Sequence, residues 1–238
     1  MSVVAEPNPL VNPRWSLAER VCAAALRRFP AEVLAIGAHG SLAHGDDTEG
    51  SDVDLVVVTY RARTGPRPVT RRVDGILVDL GVVGADEYLA HARTLTTSWP
   101  LLADRYVSTR ALHDPTGWLR TLRDAHLARL ADAGGTEFST LAREAWGRAA
   151  SAHARAGRLA EYHATDAALV LLAEARLAAA TVAGLLSRTY FRTSADAVRR
   201  TGTAAADMSE LGALLRAQAE DLARRGRPVD ATVTELLS

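Results

Sequence analysis

The spacing of apolar and polar residues changes along the chain. The first half contains short apolar runs, and the second half shows continuous helical periodicity. Apolar residues recur at helical spacing from Leu17 to Phe29, and Ser16 and Glu19 have the spacing of a capping box. The pattern therefore predicts a first helix that begins at Ser16 and ends before Pro30.

Five apolar stretches between residues 33 and 112 have the length and composition of strands. The predicted strands are Val33–Ile36, Val53–Val58, Pro68–Val73, Ile76–Val83 and Tyr106–Leu112. The pair Asp74-Gly75 predicts a hairpin turn between the third and fourth strands. Helices are predicted at Ala85–Arg93 and from Asp114-Pro115 to about Leu130.

From residue 131 onward alanine, leucine and arginine dominate, and strand-forming residues are few. Gly134-Gly135, within the stretch 131–136, marks the best domain boundary, although a boundary near Asp114 is also compatible with the pattern. The prediction is an α+β protein in which a mixed-sheet domain, residues 1–131, is followed by an all-α helical bundle domain, residues 132–238.

Composition narrows the class of protein. The 28 basic residues, all of them arginine, balance 28 acidic ones, which argues against a dedicated nucleic-acid or membrane-surface binder. The single Cys22 lies in a helical stretch, predicting a packed thiol and a reducing compartment. The N-terminus lacks the pattern of a signal peptide, and Glu174 and Arg176 interrupt the most apolar run, 167–186. We therefore expect a cytoplasmic protein without a membrane span.

The stretch 37–55 carries the strongest chemical signal. The strand period places Asp52 and Asp54 on one face, where two carboxylates repel each other unless a cation lies between them. Gly40-Ser41 follows a strand and is expected to open a short helix whose N–H groups can hold phosphate oxygens. Asp79, a third carboxylate in an apolar strand, is expected to be buried. Together these residues indicate a Mg²⁺ site, although Asp-x-Asp alone is also typical of a solvated turn.

The zero net charge conceals a local division. Residues 37–60 contain five acidic residues and no arginine, and residues 61–73 contain five arginines and no acid. An acidic metal-binding loop next to an arginine-rich segment suits a site that binds Mg²⁺ and a triphosphate.

Gly40-Ser41 followed by Asp52-x-Asp54 resembles the signature of the DNA-polymerase-β-like nucleotidyltransferases. In that superfamily three carboxylates, here Asp52, Asp54 and Asp79, bind two Mg²⁺ ions. A nucleoside monophosphate then passes from a triphosphate to an acceptor hydroxyl. The resemblance implies ATP as nucleotide substrate and Gly40, Ser41 and His44 as nucleotide-binding residues. His44 stands where the superfamily tends to have arginine, and it could equally be an ordinary loop histidine.

Thr97-Ser98-Trp99-Pro100-Leu101 and His113-Asp114-Pro115-Thr116-Gly117-Trp118-Leu119 are similar to segments of the kanamycin nucleotidyltransferase group. That resemblance implies an aminoglycoside acceptor, antibiotic resistance, and a homodimer with active sites between subunits. It also implies that Glu144 is the catalytic base and that Arg148, in place of the group's lysine, contacts triphosphate oxygens. The pair could instead be an ordinary ion pair at i,i+4 spacing.

The acceptor is the least determined feature. Thr140 and Leu141 stand where the group has a glutamate pair for antibiotic amino groups, and the other acidic candidates are Glu137, Glu161 and Asp166. Residues that could shape an acceptor pocket are Trp146, His153, Tyr162 and His163. A lincosamide or another small hydroxylated molecule is an alternative acceptor. A different hypothesis is an antitoxin-type module that adenylylates a partner protein, for which Arg158-x4-His163 is a weak signal.

Overall fold

A computed structural model of the chain describes residues 12–237, in two compact units. The first unit comprises the residues up to 94 and 104–129, and the second comprises 95–103 and the chain from 130 onward. The division at residue 131 proposed from sequence remains a prediction. The predicted fold class, a mixed sheet with helices followed by a helical region, is confirmed.

The first unit contains five strands and five helices among its described residues. The strands are β1 (Val33–His39), β2 (Val53–Thr59), β3 (Val69–Val73), β4 (Ile76–Gly84) and β5 (Arg110–His113). The helices are α1 (Pro13–Arg28), α2 (Gly40–His44), α3 (Ala85–Ala92), α5 (Asp104–Val107) and α6 (Trp118–Asp132), the last continuing past residue 129. Helix α4 (Trp99–Leu102) lies between α3 and α5 in the chain but belongs to the second unit.

The sheet has the strand order β3-β4-β2-β1-β5, with β2 and β4 parallel and the other neighbours antiparallel. Strands β1 and β2 lie at its centre and are buried along nearly all their length. Their continuous apolar runs reflect cover on both faces. The predicted hairpin is confirmed, because β3 pairs with β4 and both Asp74 and Gly75 have the positive φ of a type I′ turn.

Two predicted boundaries are wrong. Helix α1 begins at Pro13 rather than Ser16, because the Asn12 side chain accepts hydrogen bonds from the next two N–H groups and proline suits the first helical position. The strand predicted at Tyr106–Leu112 starts only at Arg110. The preceding residues form the short helix α5, whose Tyr106 packs its ring on the buried His126, so tertiary packing overrides the strand-forming composition there.

The second unit is helical throughout its described residues. After α4, its helices are α7 (Gly135–Glu161), α8 (Thr165–Ser187), α9 (Ser194–Arg200), α10 (Met208–Arg224) and α11 (Val233–Leu236). Helices α7 and α8 pack along their length through alanine-rich stripes, which let the two backbones approach closely. Trp99 of α4 joins this core by packing edge-on against Phe138.

Helix α8 is long and apolar enough in composition to cross a membrane, as are the core helices of many folded domains. Here Ala175, Ala179, Val182 and Leu185 are buried within the second unit. This packing agrees with the prediction of a buried helix. Cys22 is likewise buried as a free thiol in α1, and burial raises its pKa.

Gly184 in α8 is expected to tolerate no side chain. A Cβ there would lie 2.7 Å from Phe191, 2.8 Å from Pro100 and 2.9 Å from the Thr189 carbonyl oxygen. Gly184→Ala should therefore lower the free energy of unfolding by about 1–3 kcal/mol through overpacking.

Gly147→Ala is the matched control, since this glycine is also helical but its Cβ would meet nothing within 4 Å. It should raise stability by roughly 0.5–1 kcal/mol through helix propensity. Urea denaturation of both variants measures the difference. Equal effects of the two substitutions would contradict the packing described for Gly184.

Candidate functional site

A row of polar side chains crosses four neighbouring strands of the sheet. The strand register pairs His39 with Asp54, Asp54 with Asp79, and Asp79 with Thr70. Directly opposed residues place their side chains on the same face. Consistent with this, the Thr70 hydroxyl donates a 2.6 Å hydrogen bond to Asp79 Oδ1. Two of the three predicted carboxylates are therefore adjacent on the central strands.

Asp52 completes the predicted set, because it precedes Asp54 by two residues and so shares its side of the chain. Burial, followed by the negative charges of Asp52 and Asp79, raises the pKa of the half-buried Asp54 to about 6. The three carboxylates thus lie within electrostatic reach of one another. The expected burial of Asp79 is wrong: its face of β4 is exposed, and the neighbouring Val78 occupies the buried face.

The Gly40-Ser41 turn lies directly against this carboxylate group. Gly40 has φ +68°, and a Cβ on it would stand 2.5 Å from Asp54 Oδ2. Both observations require glycine at this position. As predicted from sequence, Gly40 and Ser41 open the short helix α2 directly after β1. The backbone of this turn and the carboxylates consequently form one continuous surface.

The carboxylate oxygens are of the kind that Mg²⁺ prefers, although they do not surround an ion completely. Among residues 12–237, no three or more His, Cys, Asp or Glu side chains meet in a cluster that would hold a metal ion. Magnesium is commonly bound by only one or two carboxylates, with water and substrate phosphates completing its shell. The carboxylate oxygens and the raised pKa of Asp54 fit such a partly open site, since a cation would relieve the repulsion.

A cavity of about 260 Å³ adjoins the carboxylates on the same face of the sheet. His39, Asp79 and Tyr88 line it together with Arg105, a residue without a signal in the sequence pattern. Burial, followed by the charge of Arg105, lowers the pKa of His39 to about 4, so the imidazole is neutral near pH 7. Arg105 is thus a cation of the first unit that sequence reasoning missed.

His44, predicted to bind nucleotide, is held by a neighbouring carboxylate. Its Nε2 lies 3.1 and 3.0 Å from the two carboxylate oxygens of Asp104, which is 5% exposed. Ser108 donates a 2.9 Å hydrogen bond to the same carboxylate. The end of α2 is therefore tied to α5, a contact between residues 60 positions apart that no local pattern indicates.

The loop that leads to Asp52 is anchored to the start of α1. Asn12 Nδ2 donates to both carboxylate oxygens of Asp47, at 3.0 and 2.9 Å. The guanidinium of Arg14, which is 7% exposed, donates to the carbonyl oxygens of Ser51, at 2.8 Å, and Glu49. A buried arginine thus fixes the backbone of the acidic loop just before Asp52, a second contribution that the sequence did not signal.

Glu144 and Arg148, the predicted base and its phosphate-contacting partner, belong to the second unit. They lie one turn apart on α7, and both are exposed. Among the ion pairs of residues 12–237, none joins Glu144 to Arg148. The simple ion-pair interpretation therefore finds no support, and the catalytic roles remain predictions.

Some of the residues proposed to shape an acceptor pocket pack between helices, and others are exposed. Trp146 Nε1 donates a 2.8 Å hydrogen bond to the Leu215 carbonyl, and His153 Nε2 lies 2.8 Å from the Met208 carbonyl. These contacts hold α7 against α10. Tyr162 is 80% exposed at the end of α7.

The part of the chain that matches a known family is the part that contains the carboxylates and the Gly40-Ser41 turn. Residues 19–94 match the family described as "Nucleotidyltransferase domain", and they include Gly40, Ser41 and all three carboxylates. The match confirms the prediction of a nucleotidyltransferase domain and of a transferase enzyme.

Among solved structures, the chain is similar to a nucleotidyltransferase-like protein from Exiguobacterium sibiricum 255-15. The two share 15% sequence identity, the alignment covers 94% of this chain and 84% of that chain, and the TM-score is 0.45. No curated protein matches the sequence significantly.

The contact between Gly40 and Asp54 gives a stability prediction. Gly40→Ala combines a disfavoured positive φ, costing about 1–2 kcal/mol, with overpacking against Asp54 that costs about 1–3 kcal/mol more. Gly45→Ala is the control, because Gly45 has φ +73° but a Cβ there would meet nothing within 4 Å. Urea denaturation should show the larger loss for Gly40→Ala. Equal losses would mean that the turn does not pack on Asp54.

Proposed function

We propose that the protein catalyses Mg²⁺-dependent transfer of AMP from ATP to a hydroxyl of an aminoglycoside antibiotic, and so confers resistance. The observation that carries the proposal is the group of three carboxylates beside the Gly40-Ser41 turn, within the matched nucleotidyltransferase domain. Phosphoryl transfer depends on positioning and charge neutralisation, and this arrangement can provide both.

The first unit would bind the metal and the nucleotide. Asp52, Asp54 and Asp79 would hold Mg²⁺, with two ions expected. When bound, these ions would neutralise the triphosphate and acidify the attacking hydroxyl. The backbone N–H groups of Gly40 and Ser41 and the hydroxyl of Ser41 would orient phosphate oxygens.

The second unit would contribute the proton acceptor and a further cation. Glu144, exposed on α7, would take the proton from the acceptor hydroxyl as a general base. Arg148 would pair with triphosphate oxygens; the chain contains no lysine, and a guanidinium binds phosphate bidentately. His44 would assist in nucleotide binding. The proposal includes a cytoplasmic homodimer with active sites between subunits, acting on a small molecule and not on nucleic acid or a membrane.

The test is the mass of the product. The protein is incubated with Mg-ATP and a panel of aminoglycosides and lincosamides, and an AMP adduct is sought by mass spectrometry. An adduct on an aminoglycoside supports the proposal, and one on a lincosamide redirects it to the alternative acceptor. Absence of any small-molecule adduct, with adenylylation of a co-purified protein instead, would replace it with the antitoxin-type hypothesis.

Asp54→Asn is the inactive control for that assay. It should abolish transfer because it removes a charged metal ligand. In EDTA at pH 8 it should raise the melting temperature by about 2–4 °C. The cost of burying the charge and the repulsion from Asp52 and Asp79 both disappear, and about 1 kcal/mol is gained after solvent screening. The opposite changes in activity and stability separate a lost function from a lost fold. Retained transfer would refute the metal assignment.

Glu144→Gln tests the proposed base. Turnover should fall by about 10²–10⁴-fold with little change in ATP affinity, since general-base catalysis contributes rate rather than nucleotide binding. Glu220→Gln, an exposed glutamate of α10, serves as the control and should leave turnover unchanged. Comparable turnover in both variants would remove Glu144 from the mechanism.

A further inference from the structure

The cavity that adjoins the carboxylates contains polar groups to which the proposed reaction gives no role. Its volume of about 260 Å³ lies below the roughly 300–1,000 Å³ of sites for drug-sized ligands, so it suits a small ligand or a single end group. Helices α3 and α5 contribute Tyr88, His91, Arg105 and Tyr106 to its walls. The sheet contributes one carboxylate, Asp79.

The walls of the cavity include two tyrosine hydroxyls without a protein partner. Tyr88 is 5% exposed and Tyr106 is 9% exposed, and within residues 12–237 neither hydroxyl forms a hydrogen bond. Both oxygens keep some accessible surface, because the fully enclosed, unpaired side-chain atoms of these residues comprise Gln218 Oε1 alone. Burial raises the pKa of both tyrosines, which therefore remain protonated donors at neutral pH. A ligand oxygen that accepted from them would relieve the cost of leaving them unpaired.

Contacts between aromatic rings fix the direction of these hydroxyls. The ring centroids of Tyr88 and Tyr106 lie 5.5 Å apart, and Tyr88 also stacks on Trp118 at 6.2 Å. The Tyr106 ring lies 4.9 Å from that of His126, whose Nδ1 is 2.7 Å from the Ala92 carbonyl oxygen. Because the rings pack on one another, the tyrosines offer a ligand their hydroxyl ends. This arrangement favours a small hydrogen-bond acceptor over a stacked aromatic ring.

Arg105 supplies a positive charge to the same cavity. The residue is exposed, and in the part of the chain that the structure describes its guanidinium has no hydrogen bond or ion pair. Its charge partly offsets the effect of burial on the pKa of both tyrosines, so it lies within electrostatic reach of their hydroxyls. A guanidinium with two neutral O–H donors matches the oxygens of a small anion, and guanidinium groups bind phosphate bidentately.

The cavity and the Gly40-Ser41 turn lie on opposite sides of the row of carboxylates. The row follows the paired positions of β1, β2 and β4, and β1 runs antiparallel to the other two strands. The turn therefore continues beyond the row in one direction, whereas Val56 and Gly81 of the cavity lie in the other. An anion in the cavity is thus held by groups different from those of the turn.

We propose that this cavity is a binding site for a small oxyanion of the phosphate class, held by the Arg105 guanidinium and the hydroxyls of Tyr88 and Tyr106. Inorganic phosphate, pyrophosphate and the phosphate terminus of a larger molecule share this chemistry. The charge of Asp79 opposes such an anion, so neutralisation of Asp79 should strengthen binding. The site does not depend on the identity of the acceptor or on the proposed transfer reaction.

The test measures binding without metal and without catalysis. The full-length protein is titrated with inorganic phosphate and with pyrophosphate by isothermal titration calorimetry in EDTA. Arg105→Gln and Tyr88→Phe should each weaken binding by about tenfold or more, because each loses hydrogen bonds to a charged ligand. Asp79→Asn should strengthen binding by about two- to fivefold, because it removes a like charge from the wall.

Two control variants change the same residue types elsewhere in the first unit. Arg67→Gln removes an exposed arginine of the arginine-rich segment, and Tyr60→Phe removes the hydroxyl of an exposed tyrosine. Both residues lie outside the cavity lining, so neither change should alter the affinity. The melting temperature of Tyr88→Phe should not fall, since the lost hydroxyl has no protein partner. A loss of binding in that variant then reports on the site and not on the fold.

The outcomes separate this proposal from the proposed function. No binding by wild type, equal affinity of wild type and Arg105→Gln, or an equal loss in Arg67→Gln would overturn the oxyanion site. Competition with α,β-methylene-ATP identifies the source of the phosphate: displacement assigns it to the nucleotide, and simultaneous binding assigns it to a separate anion, and both results support the site. Phosphate binding without AMP transfer to any acceptor would refute only the proposed function.

Discussion

Electrostatic repulsion among Asp52, Asp54 and Asp79 is the constraint on which the rest of the site depends. The strand register forces Asp54 and Asp79 side by side, and burial adds to the cost of the charge on Asp54. Such a cluster lowers stability unless a cation neutralises it. The fold therefore retains a local destabilisation in the place where a bound metal ion would relieve it, a common pattern at catalytic sites.

The surroundings hold this strained group in place from several directions. Gly40 lets the turn approach Asp54 to a distance that a side chain would forbid. Arg14 and Asn12 fix the acidic loop from the start of α1. Asp104 ties His44 to α5. The last two supports come from elements 35 to 60 residues away in sequence, so the geometry of the site depends on how distant parts of the first unit pack.

The local distribution of charge tells more about this protein than its net charge does. The formal net charge is zero, yet the acidic loop and Arg105 beside the carboxylates are each charged locally. Because the chain contains no lysine, any cationic side chain that binds phosphate must be arginine or histidine. Guanidinium groups favour planar, bidentate contacts, which suits recognition of phosphate oxygens more than proton donation.

The sequence by itself determined the Asp74-Gly75 hairpin, the Gly40-Ser41 turn and the strand bearing Asp54, because each depends on backbone preferences of neighbouring residues or on strand alternation. It also indicated the nucleotidyltransferase domain. Only the tertiary structure decided the start of α1, the exposure of Asp79, and the positions of Arg105 and Arg14. These depend on which distant elements pack together, and long-range packing leaves no local periodic signal in the chain.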